Sequence, residues 1–577
     1  MAGQSGPEYR VTVLTEALRI VDDAWHELRR SPCVQRQLGV PLTHLPDVSS
    51  GEASRRSAVG EALLKRLRTI DLTSLPHDLS LSLRAVRFRA QFWSREAEWY
   101  WTVIDPLGAG FFGLFLPTAY CGGIFLNTIN SQLADVKIIS SSDADRYLTL
   151  VGGYARLVDQ FTARTTEQAS RGMRMPRIQV QPARLLLEQF KNGIREVICA
   201  APRRMSIPVK NDLMRELESL ITTHIEPAFD RALEGLSDKY FKKAPDGVGL
   251  RQYRDGAAVY AELVKFHTTL DLTPEQVHAY GYERLAEIQS QKHAIRDELR
   301  FEGDDMAFLT QLSRDPRWRA NTVEGVAAVF HRYINRITPH LGDCFSNTPK
   351  APHRVEPLPH ALERSMTYGY YELPARDHPA GLYLFNAGNL TKHPLCPVGA
   401  LTYHELMPGH HLQVGLQYEN DALHPFRRYS LLPAYNEGWA EYAATLAGEI
   451  GMYEEPEERY GRLMMDGLFA SRLVVDTGMN VLEWSLQRAR DYMHQNSGIS
   501  HFEILTESVR YSCDIPGQGL AYKIGDRKIM QLRERMRHEL RDRFDLKVFH
   551  AAVLATGAIP LPELEWHIAC EIERLRV

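Results

Sequence analysis

Cysteine is sparse. The 577-residue chain has seven, at positions 33, 121, 199, 344, 396, 513 and 570, and no two form a Cys-x-x-Cys pair. That argues against a disulfide scaffold and the usual zinc-finger spacings, and an odd, scattered set fits a reduced, cytoplasmic protein. Charge of one sign is also missing: 68 Lys and Arg stand against 72 Asp and Glu, a net charge of −4 with a pI near 6.6. Neither a nucleic-acid partner nor a membrane surface is expected from that balance. There is no clean apolar run of the ~20 residues a spanning helix needs. Residues 106 to 134 carry no charge, but Pro117, five glycines (108, 110, 113, 122 and 123), Asn127 and Asn130 interrupt them, so a buried irregular loop is expected. The start, MAGQSGPEYRVTVL, lacks a basic segment followed by an apolar one, and no signal peptide is expected. Internal repeats, a Gly-rich phosphate loop and a Gly-x-Ser-x-Gly elbow are absent as well. Cys396 and Cys513 lie near the motifs described below, but a buried structural role is far commoner than a thiol nucleophile.

What is present is helical periodicity. Hydrophobic residues make up 44% and charged ones 24%, ordinary for a globular chain with a large core. From Val11 to Arg30, Leu14, Leu18, Val21, Trp25 and Leu28 recur at three- and four-residue steps. Residues 85 to 103 carry a thick aromatic face: Phe88, Phe92, Trp93, Trp99 and Trp101. Thr273-Pro274-Glu275 reads as the capped start of a long helix towards Arg300. Pro-punctuated joints at 171–183 and 202–208 suggest an N-terminal helical region, 1–205, and a second region, 206–577. Ser365 to Tyr371 and Gly381 to Asn386, rich in Tyr, Leu and Phe, read as short strands. A mainly α fold with a small sheet is expected.

The stretch TYHELMPGHHLQ, residues 402 to 413, gathers His404, Glu405, His410 and His411. A surface helix has no need for three imidazoles and a carboxylate so close together; a divalent metal site does. The common zinc-hydrolase helix places its second histidine four residues after the first, beside a glutamate that acts as general base. Here that position is Pro408. In a straight helix His404 and His410 would point to different sides, and His404 and His411 would sit about 10 Å apart along the axis. A break at Pro408-Gly409 could bring His410 beside His404. YNEGWAEYA, residues 435 to 443, supplies Glu437 as a third ligand, 27 residues after His410, and Glu441 one turn further as a partner for a ligand histidine.

HELMPGHHLQ followed by NEGWAEYA resembles the domain-of-unknown-function family 885. So do residues 368–390 (YGYYELPARDHPAGLYLFNAGNL), 253–285 and 514–529 (DIPGQGLAYKIGDRKI), with the strongest likeness from about residue 250 onward. The resemblance implies a large helical, zincin-like body of the gluzincin type, with a small β-sheet beside a central cleft, and residues 206–577 as its catalytic region. A similarly stretched motif in dipeptidyl peptidase III, aligned on Gly-His, makes His410 rather than His411 the second ligand; His411 remains the alternative. One zinc per chain is then expected on His404, His410 and Glu437. Glu405 is expected as general base and Tyr522 as donor to the tetrahedral oxyanion. Asn386, Arg510 and Lys523 are candidates for binding substrate.

The expected activity is hydrolysis of a peptide or amide bond in a small peptide-like substrate by a monomer or homodimer. A metal-dependent amidohydrolase or tailoring enzyme of small-molecule metabolism is the alternative, and a catalytically silent scaffold the second.

Overall fold

Helices carry most of the chain, as the apolar steps predict. The computed structural model describes residues 7–205, 209–360, 363, 368–376 and 378–576. The chain divides into two compact units: Met1–Leu72, Val86–Val259 and Ser512–Pro516 form one, and Thr73–Ala85, Tyr260–Tyr511 and Gly517–Val577 the other.

In the first unit, helices Pro7–Leu28, Ser50–Leu67, Tyr154–Ser170, Arg177–Arg203 and Glu226–Gly235 surround an aromatic core. The first helix buries Ala17, Ile20, Val21, Ala24 and Leu28, whereas Leu14 and Leu18 are exposed. The buried stripe is therefore rotated from the one that large apolar residues mark, because two alanines lie on the packed face. Phe88, Phe92, Trp93 and Trp99 are core residues. The uncharged stretch is irregular and buried up to Thr118, and then helical over Ile124–Ala134. Buried Arg164 holds its irregular part by donating to the Tyr100 and Leu114 carbonyls, at 2.7 Å each. Asp514 accepts from Thr118 Oγ1 and the Tyr120 and Cys121 amides at 2.5, 2.7 and 2.9 Å. No described helix is long and apolar enough to cross a membrane.

The second unit holds a three-stranded sheet, β1 (His353–Pro357), β2 (Gly369–Glu372) and β3 (Gly381–Phe385), in the order β1-β3-β2. β3 is central, parallel to β1 and antiparallel to β2. β3 ends one residue before Asn386, and of the first expected strand residues 365–367 lie outside the described residues. β1 was not anticipated: it ends on a proline, which an edge strand tolerates because it gives up no ladder hydrogen bond on its open side.

Six helices frame the candidate site: α1 (Pro274–Glu298), α2 (Val398–Glu405), α3 (His410–Glu419), α4 (Pro433–Glu449), α5 (Pro456–Asn480) and α6 (Ala521–Leu540). Thr273 caps α1 with a reciprocal Thr273–Gln276 box and Pro274 in the first turn. α1 runs along α5, whose residues are almost all buried, and α4 packs along α6. The α4–α6 crossing is close enough to need glycine on both sides. A Cβ on Gly438 would stand 2.5 Å from Gly525 Cα, and one on Gly525 would stand 2.0 Å from the Ala434 carbonyl oxygen. Since Glu437 adjoins that contact, Gly525→Ala is expected to lower stability by roughly 1–3 kcal/mol through overpacking. A denaturant midpoint unchanged from the parent would contradict this.

Candidate functional site

α2 stops at Glu405 and α3 begins at His410, so the stretch holding His404, Glu405, His410 and His411 is two helices joined by a four-residue break. Leu406 leaves the helical region, with φ −110° and ψ −112°, and Gly409 follows with φ −78° and ψ −128°. At Gly409 a Cβ would lie 1.8 Å from the His404 carbonyl oxygen, so no other residue fits that approach. Backbone groups in the break find new partners. The His411 amide donates to Leu406 O at 3.2 Å, and buried Trp439 on α4 donates its indole N–H to Pro408 O at 3.0 Å. Asn436, beside Glu437, donates to Gln413 Oε1 at 2.7 Å and ties α4 to α3.

The break brings the His404 and His410 rings to a centroid separation of 4.8 Å, nearly perpendicular at 88°. Glu437 Oε2 lies 3.2 Å from His410 Nε2 and 3.6 Å from His404 Nε2. Among the described residues, this is the group of His, Cys, Asp or Glu side chains that could hold a metal ion, with ligand atoms within 4.8 Å of one another. Glu437 Oε2 is buried and makes no hydrogen bond despite those close contacts.

His404 is fixed from behind. Its Nδ1 lies 3.0 Å from Glu441 Oε1, leaving Nε2 for the shared space. Glu441 Oε2 in turn accepts from Arg462 Nη2 at 3.1 Å and lies 3.7 Å from Lys523 Nζ. Lys523 also pairs with Asp466 at 2.9 Å and Asp526 at 2.5 Å, and Arg284 reaches Asp466 at 2.5 Å.

Electrostatics follow from these contacts. Burial works against a charged His404, but the facing carboxylates of Glu437 and Glu441 outweigh it and push the ring up to about 10. Burial would raise Glu437, yet the adjacent His410 and His404 hold its carboxyl well below the usual range. Glu441 is brought down to about 2 because Arg462, His404 and Lys523 overcome its burial. Glu405 goes the other way: burial raises it, against the pull of His404 and His410. Without an ion, His404 therefore holds a second proton, which a metal on its Nε2 would have to displace.

The remaining residues singled out by sequence fall in different places. Tyr522 is in the site, its ring 5.9 Å from His404 and parallel within 12°, with Phe469 stacked on it at 4.7 Å. His411 points away from the cluster: Nδ1 meets Tyr371 Oη at 2.8 Å and Nε2 meets Ala351 O at 2.9 Å. Burial and the neighbouring His353 bring His411 down to about 4. Lys523 is buried among three carboxylates, so its charge is already matched. Asn386 is a helix cap, accepting from the Asn389 amide at 3.1 Å and donating to Glu363 O at 2.8 Å. Arg510 is half-buried and donates to Gln518 Oε1 at 2.6 Å. Sequence reasoning passed over Tyr371, whose ring lies parallel to His410 within 15° at 6.3 Å, and Arg462. Tyr371 stands inside a quoted motif, but nothing in its spacing marks it.

A model of the family described as a bacterial protein of unknown function, DUF885, matches residues 32–568. The chain belongs to this family. Among solved structures it is similar to one described as a "putative lipoprotein" from Colwellia psychrerythraea, with a TM-score of 0.84 and 24% identity, covering 97% of this chain and 99% of that one. A "putative lipoprotein of unknown function" from Shewanella oneidensis gives a TM-score of 0.71 at 16% identity, covering 96% and 99%. At these identities the likeness is one of fold. No curated protein matches the chain.

The Glu441 network generates a stability prediction. Glu441→Ala leaves Arg462 in the interior without its ion-pair partner, while Lys523 keeps Asp466 and Asp526, and breaking a buried ion pair from one side is expected to cost about 3–5 kcal/mol. Equilibrium unfolding measures this; a loss under about 1 kcal/mol, the range of a surface pair, would contradict it.

Proposed function

We propose that this DUF885 chain is a zinc-dependent hydrolase that cleaves a peptide or amide bond in a small peptide-like substrate. The zincin-like architecture, the central cleft and a cytoplasmic location belong to the same reading. One observation carries it: the buried, unbonded Glu437 Oε2 beside two imidazole Nε2 atoms. Two ligand atoms about 2.1 Å from one tetrahedral ion stand about 3.4 Å apart. The contacts of 3.2 and 3.6 Å bracket that separation, and two nitrogens with one carboxylate oxygen suit zinc. His404, His410 and Glu437 would hold the ion, and zinc when bound would lower the pKa of water and polarise a carbonyl.

The chain's own residues supply the rest. Glu405 follows His404 directly, and burial raises its carboxyl towards the range where a base can take a proton and return it. It receives the proton of the attacking water on a carboxylate oxygen and passes it to the leaving amine. Tyr522, stacked beside His404, would donate to the developing oxyanion. Glu441 keeps the His404 proton on Nδ1.

The protein as purified should carry about one zinc per chain. His404→Ala and His410→Ala should lose it, whereas His411→Ala should retain it; the reverse order for 410 and 411 would overturn the ligand assignment. Glu405→Gln should keep its zinc and lose activity by a factor of about 100 to 10,000 on a dipeptide or N-acyl amino acid substrate. Full activity of that variant with metal bound would refute the hydrolytic mechanism.

A further inference from the structure

Arg427 is a buried cation with donors to spare. It lies on the short helix Pro425–Arg428, and its side chain is 0% exposed. Nη2 donates to Asp78 Oδ1, while Nε and Nη1, also buried, have no hydrogen-bond partner among the described residues. A guanidinium offers five N–H groups in a planar fork, and charged donors left unmatched in the interior are costly. The backbone around it is held: Gln417 on α3 donates Nε2 to the carbonyls of Arg427, Arg428 and Ser430 at 3.0, 3.1 and 2.8 Å. The ion-pair partner differs in exposure. The Asp78 side chain is 64% exposed, so the pair stands at the boundary of core and solvent with the acid on the outside. Asp78 is the second residue of the 17-residue helix His77–Trp93, whose start carries the positive end of the helix dipole. That start is anchored without Asp78. His77 Nε2 lies 2.8 Å from His567 Nδ1, and the His77 ring stacks on Trp566 at 4.6 Å, both on the C-terminal helix Leu561–Arg576.

A buried guanidinium with two open nitrogens, joined to a helix start through one exposed carboxylate, suits an ion with more acceptor oxygens than Asp78 gives it. We propose that Arg427 and the start of helix His77–Trp93 form a binding site for a small oxyanion of the phosphate type, and that Asp78 is the internal counter-ion which the anion displaces. The full burial of Arg427 favours the bare ion over a phosphate ester, whose substituent would have to follow it inside. None of these residues belongs to the His404, His410 and Glu437 group, so the proposal stands without a metal.

Calorimetry on the full chain tests this with inorganic phosphate and with glycerol 3-phosphate, for the parent, Asp78→Asn and Arg427→Met. The parent should bind phosphate. Asp78→Asn should bind it roughly tenfold more tightly, because it no longer sets a negative charge beside the anion. Arg427→Met should bind it about 10- to 100-fold more weakly, the range for hydrogen bonds to a charged group. Phosphate held by a metal elsewhere in the chain would respond to neither change. Glycerol 3-phosphate should bind more weakly than phosphate; equal affinity would overturn the assignment to the bare ion. Asp78→Asn removes the partner of a buried arginine, so Arg427→Met carries the test if that variant does not fold. A parent that binds no phosphate overturns the proposal. So does an affinity unchanged or lowered in Asp78→Asn, or unchanged in Arg427→Met.

Discussion

The site depends on one interruption of helical geometry, between Glu405 and His410. A continuous helix would hold His404 and His410 on different sides. Stopping α2 and restarting α3 four residues later lets both rings reach the same space as Glu437. The interruption persists because its backbone groups are satisfied elsewhere: the Trp439 indole takes the Pro408 carbonyl, and the His411 amide takes that of Leu406. Gly409 admits the His404 carbonyl where any side chain would collide. The same α4 that delivers Glu437 therefore also holds the break open through Trp439, two residues further on, and positions of donors and backbone are set by one packing event.

Behind the donors lies a buried array of charges: Glu441, Arg462, Lys523, Asp466, Asp526 and Arg284. Such an array is weak evidence for stability, since desolvation offsets much of the attraction. Its consequence here is rigidity. His404 cannot rotate without breaking its contact with Glu441, and Glu441 cannot move without leaving buried Arg462 without its ion-pair partner. The array spans α1, α4, α5 and α6, so the orientation of one imidazole is coupled to the packing of four helices.

Local signals were legible in the sequence and long-range ones were not. Helical class followed from apolar steps, the start of α1 from Thr273-Pro274, and the candidate donors from types crowded into two short windows. Pro408-Gly409 marked where a helix would break because both residues act on their own backbone. The apolar steps marked the first helix but not its packed face: Leu14 and Leu18 are exposed, while Ala17 and Ala24, which carry a weaker signal, are buried. β1 was missed because an edge strand ending in proline lacks the alternation of a buried one. Tyr371 and Arg462 acquire their places from partners distant in the chain, which no local spacing encodes. Lys523 looked available to a substrate for the same reason: Asp526 is its neighbour on α6, but Glu441 and Asp466 come from α4 and α5 and meet it only in the fold.

The site as proposed holds one zinc ion on two imidazoles and one carboxylate. X-ray absorption at the zinc edge, on protein purified from zinc-containing medium, tests this most directly. The predicted result is a shell of nitrogen and oxygen scatterers alone at about 2.0–2.1 Å, with the multiple scattering of two imidazole rings. A sulfur shell near 2.3 Å, the distance of a thiolate ligand, or protein that carries no zinc under those conditions, would contradict it.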